Sequence, residues 1–300
     1  MKPIAIVLLN FNGIELLKRF LNDLITNSPE ADVILVDNNS NDNSVKWFKE
    51  NHPNLQCIEL SENFGYAKGY NEGLKNLKYE YYGLLNTDIR VPKNWIPSLI
   101  KNFKINPDVA IIQPHILNQN KPNHFEYAGA AGGYIDKYGV PFCRGRIFNK
   151  IEEDDGQYDE IKEILWASGA CFIIKSKVFW RLGGFDNDFF AHQEEIDLCW
   201  RAHNLNYRVL SVGTSKVFHI GGSTLPISAK KTYLNHRNSL IMIVKNVPNK
   251  NLYSILFFRL ILDGFIGLLF FLKLKFSSTW AIIRAHYAFF RMFKYVKKKN

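Results

Sequence analysis

The chain has 300 residues, of which 47% are hydrophobic and 22% are charged, and its formal net charge is +10. This much apolar material excludes a wholly disordered protein, and the length predicts one large domain or one domain with an appendage. Four cysteines lie far apart with no CxxC spacing. This argues against a disulfide scaffold or a zinc ribbon and favours a reducing compartment.

Strands and helices alternate over the first hundred residues. Short apolar runs predict strands at residues 4–9, 33–36, 55–60 and 81–85. Helical spacing of apolar residues predicts helices at residues 13–25, 44–50, 67–77 and 95–103. This alternation is typical of an α/β fold in which a doubly wound parallel sheet is covered on both faces. Because the first strand follows residues 1–3 directly, we expect no signal peptide and a chain that begins in the cytosol.

The chain is less regular between residues 110 and 165. We interpret this segment as additional strands with a mobile lid or acceptor loop, because it contains a glycine-rich run and a loop of mixed charge. Further strands are predicted at residues 170–174, 208–212 and 217–219, and further helices at residues 178–182 and 194–202.

Positive charge is concentrated in the C-terminal quarter. Residues 224–300 carry fourteen Lys and Arg and one acid, whereas the preceding residues have a net charge of −3. Because this charge is confined to an apolar-rich end segment, nucleic acid is disfavoured as a partner. Residues 251–272 are nearly long enough to span a bilayer. Arg259 and Asp263 interrupt them four residues apart, a spacing that would let the two side chains pair on a helix.

A second apolar stretch follows at residues 280–293, and lysines occupy 297–299. Apolar helices with basic flanks favour an anionic membrane surface. We therefore expect a domain boundary near residue 245, with residues 246–300 forming a basic, apolar helical appendage that lies peripherally on the inner face of the cell membrane. Packing against the core, contact within a homodimer, and a true membrane span stay open.

Polar clusters follow four of the predicted strands, at residues 10–13, 37–40, 63–66 and 86–88. In doubly wound sheets ligands bind at the carboxyl ends of the strands, so these clusters predict a site. Asp37 could accept hydrogen bonds from a nucleotide base or a ribose, or could form an Asx turn or a helix cap. Asp88, beside Asn86, suits a hard divalent cation held mainly by substrate phosphates, or is a turn residue.

Three acids, Glu194, Glu195 and Asp197, stand at a predicted helix start. They would interact favourably with the helix dipole, or they would raise one another's pKa and supply a general base for a hydroxyl nucleophile. His219 ends a predicted strand before a glycine pair and is either a metal or diphosphate ligand or a structural residue.

Seven short motifs occur in one order along residues 3–245, and together they resemble the family 2 glycosyltransferases of GT-A fold, in particular bacterial rhamnosyltransferase-like members. The motifs are VDNNS (36–40), NFGYAKGYN (63–71), LNTD (85–88), SGAC (168–171), GGFD (183–186), EEIDL (194–198) and HIGG (219–222). The resemblance implies a GT-A domain over residues 1–245, with a doubly wound mixed sheet.

The resemblance also implies a reaction and its residues. It implies inverting transfer of a sugar, rhamnose-like or another hexose, from a dTDP- or UDP-linked donor to a hydroxyl of a glycan or lipid-linked acceptor in cell-surface polysaccharide or glycolipid synthesis. Asp37 and Asn38 would hold the base. The donor site as a whole would comprise Asn10, Asn12, Asp37, Asn38, Asn63, Lys68, Asn71, Asn86, Thr87 and Asp88. Asp88 and His219 would hold Mg²⁺ or Mn²⁺, and Glu195 would be the general base, with Glu194 as the competing assignment.

Two positions depart from the family pattern. Asn86 stands where many members have a second acid, which leaves one carboxylate for the metal, and Glu195 replaces the usual Asp. A sugar-1-phosphate nucleotidyltransferase is disfavoured because no basic, glycine-rich phosphate loop follows the first strand. A dinucleotide oxidoreductase is disfavoured because GxGxxG is missing there. A protein that binds sugar nucleotides without turnover, or that only binds a membrane surface, stays open.

Overall fold

A computed structural model describes residues 2–148, 150–221 and 228–299 of the chain. The strands are β1 (Ile4–Asn10), β2 (Ala31–Asp37), β3 (Gln56–Glu59), β4 (Tyr81–Leu85), β5 (Ile89–Arg90), β6 (Val109–Asn118), β7 (Lys121–Phe125), β8 (Gly133–Ile135), β9 (Pro141–Cys143), β10 (Arg146–Ile147), β11 (Lys150–Ile151), β12 (Ile161–Ile164), β13 (Cys171–Lys175) and β14 (Arg208–His219). The helices are α1 (Ile14–Asn27), α2 (Ser44–Asn51), α3 (Gly65–Leu74), α4 (Trp95–Ile105), α5 (Ser176–Arg181), α6 (Glu194–Asn204), α7 (Ala229–Asn246), α8 (Asn249–Leu272) and α9 (Phe276–Lys297), and a 3-10 turn lies at Asn187–Phe189.

The main sheet is mixed. Among the described residues its strands run in the order β12-β14-β6-β13-β4-β1-β2-β3, with β5 paired to β14 and β7 paired to β6. Strands β4, β1, β2 and β3 are parallel neighbours, whereas β13 is antiparallel to both β4 and β6. The doubly wound α/β sheet is therefore confirmed, and it is mixed, as the family resemblance implies; the parallel sheet predicted from the alternation of strands and helices holds for β4, β1, β2 and β3 but not for β13.

Alternating side chains of the central strands enter two separate cores. In β1, Ile4, Ile6 and Leu8 pack in one core, and Ala5 and Val7 pack in the other. Helices α1 and α4 cover the first face, and α3, α6 and α7 cover the second. Because helices bury both faces, the strand is apolar throughout instead of alternating with polar residues. The carboxyl ends of the strands are then the part of the sheet that is free to carry polar side chains.

Two strands predicted near the end of the sheet are one strand in the structure. Strand β14 continues through residues 213–216, and its register against β6 shifts between Val212 and Lys216. A side chain at Gly213 could not fit there, because its Cβ would lie 2.5 Å from the carbonyl oxygen of Tyr158. The polar Gly-Thr-Ser interruption in the sequence thus marks an irregularity within a strand, not a break between strands.

The three C-terminal helices pack on one another. Helix α7 lies in the second core, where residues 240–244 are fully buried, and α9 packs along α7. Helix α8 is long and apolar enough to cross a membrane by length and composition, and among the described residues no other helix meets that test. Most of its apolar side chains face outward; Phe257 is 61% exposed and Phe265 is 59% exposed.

Arg259 and Asp263 of α8 face inward. Arg259 Nε lies 3.3 Å from Asp263 Oδ1, which confirms the pairing predicted from their spacing. Asp263 is fully buried, and it also lies 3.0 Å from Nδ1 of His236 on α7 and 3.1 Å from Nε2 of His286 on α9. A cluster of the buried residues Arg259, Asp263 and His236 and the half-buried His286 therefore joins α7, α8 and α9, and we call it the helix-joining cluster.

Candidate active site

The ends of β1 and β2 lie side by side and share a hydrogen-bond network. Asn10 is in register with Asp37, and its Nδ2 donates to Asp37 Oδ1 at 2.9 Å. Ser40 donates to the same carboxylate through its hydroxyl at 2.7 Å and through its backbone N–H at 2.8 Å. Asp37 thus forms the turn that the sequence indicates as one of its two possible roles. Its carboxylate also bonds to Asn10 on the neighbouring strand. Asn12 lies beside this turn, where its Oδ1 accepts from the N–H of Asn41 at 2.7 Å.

A second turn is organised by Asn38, which is buried directly after β2. Its Nδ2 donates to Asn63 Oδ1 and to the carbonyl oxygen of Gly65, both at 3.0 Å, and its Oδ1 accepts from the N–H of Phe64 at 3.0 Å. The ammonium of Lys68 lies 3.8 Å from the centre of the Phe64 ring, a cation–π contact. Asn38, Asn63 and Lys68 therefore meet at the start of α3.

Asn71 makes its hydrogen bonds elsewhere. Its Oδ1 accepts from the N–H of Phe185 at 2.9 Å, and its Nδ2 donates to the carbonyl oxygen of Phe185 at 2.7 Å. The side chain thus holds the loop at residues 183–186, whose sequence is one of the seven motifs. By these contacts Asn71 belongs to that loop and not to the network of Asn10, Asp37 and Asn38.

Asp88 and His219 come together although 131 residues separate them. Residue 219 pairs with Ile89 where β14 meets β5, and His219 Nε2 lies 3.0 Å from Asp88 Oδ1. Both side chains are buried. Burial lowers the pKa of His219, but hydrogen bonding to the carboxylates of Asp88 and Glu126 outweighs it and raises that pKa to about 9. Gly222 of the HIGG motif lies outside the described residues.

Glu126 was not singled out from the sequence. It is buried, and its Oε1 lies 3.6 Å from His219 Nδ1. A side chain on Gly221 would collide with it, because a Cβ there would lie 2.8 Å from Glu126 Oε1. Glu126 stands alone in an irregular segment between β7 and β8, so no motif or periodicity marks it. Its closeness to the Asp88–His219 contact is visible only in three dimensions.

Glu194 and Glu195 begin α6. Burial raises the pKa of Glu194 well above its ordinary value, and the charge of Glu195 raises it further. Burial likewise raises the pKa of Glu195, to about 7, against hydrogen bonds from the backbone. Within the part of the chain that the structure describes, Oε2 of each side chain has no hydrogen-bond partner. Two interacting carboxyls of this kind lose their protons in separate steps, so the pair retains a proton at neutral pH.

The acid pair lies at the same edge of the sheet as Asn86, Thr87 and Asp88. A Cβ on Gly169 would lie 3.6 Å from the side chain of Glu195, and the next residue, Ala170, accepts a hydrogen bond from the N–H of Asn86 at 2.9 Å. Asn86 and Thr87 are half-buried in the turn that leads to Asp88. Residues 169–170 therefore lie next to both Glu195 and the 86–88 turn.

Asp88 and His219 carry atoms of the kinds that bind divalent cations, but here these atoms are hydrogen-bonded to each other, and the imidazole would have to give up the proton of that hydrogen bond to bind a cation. One carboxylate oxygen and one imidazole nitrogen face each other at 3.0 Å. No group of three or more His, Cys, Asp or Glu side chains that could hold a metal ion occurs in residues 2–148, 150–221 and 228–299. Mg²⁺ is commonly bound by one or two carboxylates together with substrate phosphates, a role that the carboxylate of Asp88 could serve.

Comparison with known proteins assigns the family. The model of the family described as "Glycosyl transferase family 2" matches residues 5–183. The chain belongs to glycosyl transferase family 2. The resemblance inferred from the seven motifs is thus confirmed.

Two curated proteins that resemble this family 2 glycosyltransferase are named as sugar transferases. A low-salt glycan biosynthesis hexosyltransferase of Haloferax volcanii is 26% identical over 247 residues, which cover 79% of this chain and 74% of the relative. An N-acetylglucosaminyl-diphospho-decaprenol L-rhamnosyltransferase of Mycobacterium tuberculosis is 21% identical over 218 residues, which cover 68% of this chain and 71% of the relative.

A solved structure identifies the fold of this glycosyltransferase. The crystal structure of GalNAc-T7 with UDP, GalNAc and Mn²⁺ superimposes with a TM-score of 0.63 at 17% sequence identity. The match covers 81% of this chain and 48% of GalNAc-T7, so the chain spans about half of that protein. Together with the mixed sheet and its C-terminal helices, this confirms the GT-A fold predicted from the motifs. The roles of the individual residues stay predictions.

Proposed function

We propose that the protein is an inverting glycosyltransferase that moves a hexosyl or deoxyhexosyl group from a dTDP- or UDP-linked donor to a hydroxyl of a glycan or lipid-linked acceptor. The observation that carries the proposal is the pair Glu194 and Glu195, with raised pKa values, at the sheet edge that also holds Asp88 and His219. A base that titrates near neutral pH suits abstraction of a hydroxyl proton. The name of one relative, a glycan biosynthesis hexosyltransferase, supports a role in glycan synthesis.

The reaction is a single displacement. The acceptor oxygen attacks the anomeric carbon and forms the new glycosidic bond, while the bond from that carbon to the diphosphate breaks and its electron pair leaves with the diphosphate. Attack from the face opposite the leaving group inverts the configuration. Glu195 accepts the hydroxyl proton, because its pKa of about 7 leaves it ionised in part of the molecules at neutral pH. Glu194, whose pKa is raised further by its neighbour, keeps its proton.

The other predicted residues would bind the donor. Asp37 and Asn38 would contact the nucleotide base at the ends of β1 and β2, with the turns that they organise lining the remainder of the pocket. Asp88 and His219 would hold Mg²⁺ or Mn²⁺. Such a cation offsets the negative charge that develops on the departing diphosphate.

Donor binding tests the proposal most directly. We would measure thermal stability with UDP, dTDP or GDP, each with and without Mn²⁺, for the wild type and Asp88→Ala. A nucleotide at 100 times its Kd should raise stability by about 2.7 kcal/mol. A shift that needs Mn²⁺ and is lost in Asp88→Ala supports the proposed donor site. A second candidate function is a protein that binds sugar nucleotides without turnover, because the turn at Asn86 supplies a single carboxylate. Nucleotide binding without transfer to any acceptor would favour this candidate.

We also propose that the outer face of α8 and α9 rests on the cytoplasmic surface of an anionic membrane. Large apolar side chains cover this face; Phe265 and Trp280 are each 59% exposed. Exposed basic residues border it at Lys273, Lys275 and Arg284. The Arg259–Asp263 pair within the apolar stretch of α8 is buried in the helix-joining cluster. These charges therefore do not prevent the outer face from inserting into the membrane surface.

Liposome flotation tests this surface. The wild type should float with vesicles that contain phosphatidylglycerol, and less with neutral vesicles, because basic residues near a surface each add about 1 kcal/mol of attraction to anionic lipid. A Phe265→Glu and Trp280→Glu double variant should stay in solution, while Phe142→Glu, at an exposed site on β9, serves as the matched control. Wild-type dimers that dissociate in the double variant, with no flotation, would identify the face as a homodimer contact instead.

A further inference from the structure

The loop that leads into α6 has an uncommon backbone conformation. Phe190, His192 and Gln193 have φ angles of +61°, +70° and +75°. Residues other than glycine rarely adopt this left-handed region, and clusters of such residues persist only where the surroundings hold them. Gln193 is the residue directly before α6, so the conformation of this loop sets where Glu194 and Glu195 begin.

A buried amide on α7 holds this loop. Asn238 is fully buried, and its Nδ2 lies 3.0 Å from the carbonyl oxygen of Phe189, 2.9 Å from that of Ala191 and 2.7 Å from that of His192. Three carbonyls of the loop thus converge on one amide nitrogen. A side chain that replaces Asn238 must carry N–H groups at the same place to keep these contacts, and alanine carries none.

Arg237 fixes the orientation of that amide. Its Nε donates to Asn238 Oδ1 at 2.9 Å, which turns the Nδ2 hydrogens toward the loop. A second guanidinium nitrogen of Arg237 donates to the carbonyl oxygen of Asp188 at 2.8 Å and to that of Phe189 at 3.2 Å. Arg237 and Asn238 therefore brace residues 188–192 as a unit.

The same loop also contacts the other half of the site. The carbonyl oxygen of Phe190 accepts from the N–H of Tyr66 at 2.6 Å and from the N–H of Ala67 at 3.2 Å, at the start of α3. A Cβ on Gly65 would lie 2.6 Å from that carbonyl oxygen, so the approach requires glycine. The braced loop therefore links the turn of Asn38 and Asn63 to the acid pair.

We propose that Asn238, oriented by Arg237, is a positioning residue that holds Glu195 in place for proton abstraction by fixing the backbone of residues 189–193. The role in the reaction rests on the proposed function. The positioning itself is measurable without any substrate. It works through the loop, since the hydrogen bonds that Asn238 Nδ2 donates to described residues go to backbone carbonyls of residues 189, 191 and 192 and not to Glu195.

The test compares Asn238→Ala with Asn102→Ala, which removes a buried amide on α4 whose hydrogen bond goes to its own helix. Hydrogen exchange of residues 189–195 is measured by mass spectrometry on the full chain. Asn238→Ala should speed exchange of this segment at least tenfold, and Asn102→Ala should leave it as in the wild type. If Asn238→Ala does not fold, the same exchange measurement is made on Arg237→Gln. This variant removes the hydrogen bond that orients the Asn238 amide but keeps the side chain of Asn238. Unchanged exchange in the folded variant overturns the proposal.

The titration of Glu195 and the rate of sugar transfer distinguish a residue that positions Glu195 from one that only stabilises the fold. With glutamate labelled by ¹³C at Cδ, the wild-type Glu195 signal should titrate near pH 7, and in Asn238→Ala the midpoint should fall as water reaches the carboxyl. If the wild type transfers sugar, kcat of Asn238→Ala should be about 100-fold lower, the cost of a misplaced catalytic group. A wild type without turnover refutes the proposed function alone. A faster-exchanging loop with an unchanged Glu195 midpoint and unchanged kcat refutes the positioning role.

Discussion

Replacing Glu195 by glutamine should stabilise the fold while it removes catalysis. Burial raises the pKa of this carboxyl from 4.5 to about 7. Because each pKa unit corresponds to about 1.4 kcal/mol, the ionised form costs the folded state roughly 3 kcal/mol above pH 7. Part of the side chain remains accessible to solvent, which screens this cost, so we expect about 1–3 kcal/mol. The glutamine side chain has a similar shape but carries no charge, so it avoids this cost.

The sign of the effect depends on pH. Below pH 4.5 the carboxyl is protonated in both the folded and the unfolded chain, so Glu195→Gln should leave the free energy of unfolding unchanged. As the pH rises from 4.5 to about 7, the unfolded chain releases the proton before the folded one, and the wild type loses stability that the variant keeps. The variant should therefore be the more stable protein at pH 8.

Urea unfolding at pH 4.5 and pH 8 measures this difference. Glu50→Gln, at an exposed position on α2, is the control and should change the free energy of unfolding by less than about 0.5 kcal/mol at either pH. Loss of a general base should lower the transfer rate by about 100- to 10,000-fold. Equal stability of wild type and Glu195→Gln at pH 8 would refute the inference that the folded chain resists ionisation of this carboxyl.

Three further substitutions test separate parts of the structure. Glu194→Gln should keep the transfer rate within about tenfold of the wild type, because Glu194 keeps its proton at neutral pH and glutamine is a similar neutral side chain. A loss of rate as large as that of Glu195→Gln would assign the base to Glu194 instead. Lys245→Met should lower the free energy of unfolding by about 1.5–3 kcal/mol in urea, because the fully buried carboxylate of Asp197 loses the hydrogen bond from Lys245, 2.8 Å away, while it keeps its ion pair with Arg201. Gly65→Ala should both lower the melting temperature and weaken nucleotide binding, since the backbone at residue 65 has φ +74° and a Cβ there would lie 2.6 Å from Phe190. An unchanged melting temperature would contradict this close approach of residue 65 to Phe190.

The sequence predicted the sheet and the location of the polar clusters because both depend on local patterns. Apolar runs bounded by Asn, Asp and Gly mark strand ends whatever the rest of the chain does, and the structure places Asn10 and Asp37 at the ends of β1 and β2, in register with each other. The pairing of Arg259 with Asp263 was predictable for the same reason, since both residues lie on one helix.

Contacts between segments that are distant along the chain could not be predicted, because no local sequence pattern marks them. Asn238 bonds to backbone carbonyls, and every residue has a carbonyl, so nothing in the sequence of the 189–192 loop indicates its partner. Glu126 reaches His219 only because β7 and β14 both pair with β6. Likewise, the two histidines beside Asp263 come from α7 and α9, and their distance along the chain conceals that they share one carboxylate.

The helix-joining cluster has a consequence for how α8 is oriented. A helix that is apolar on nearly every side can rotate about its own axis at little cost, because each rotation buries a similar area. Asp263 removes that freedom, since any other rotation would expose a carboxylate to apolar neighbours and separate it from His236 and His286. The single acid of the C-terminal quarter thus selects which aromatic side chains point outward, and it defines the surface without being part of it.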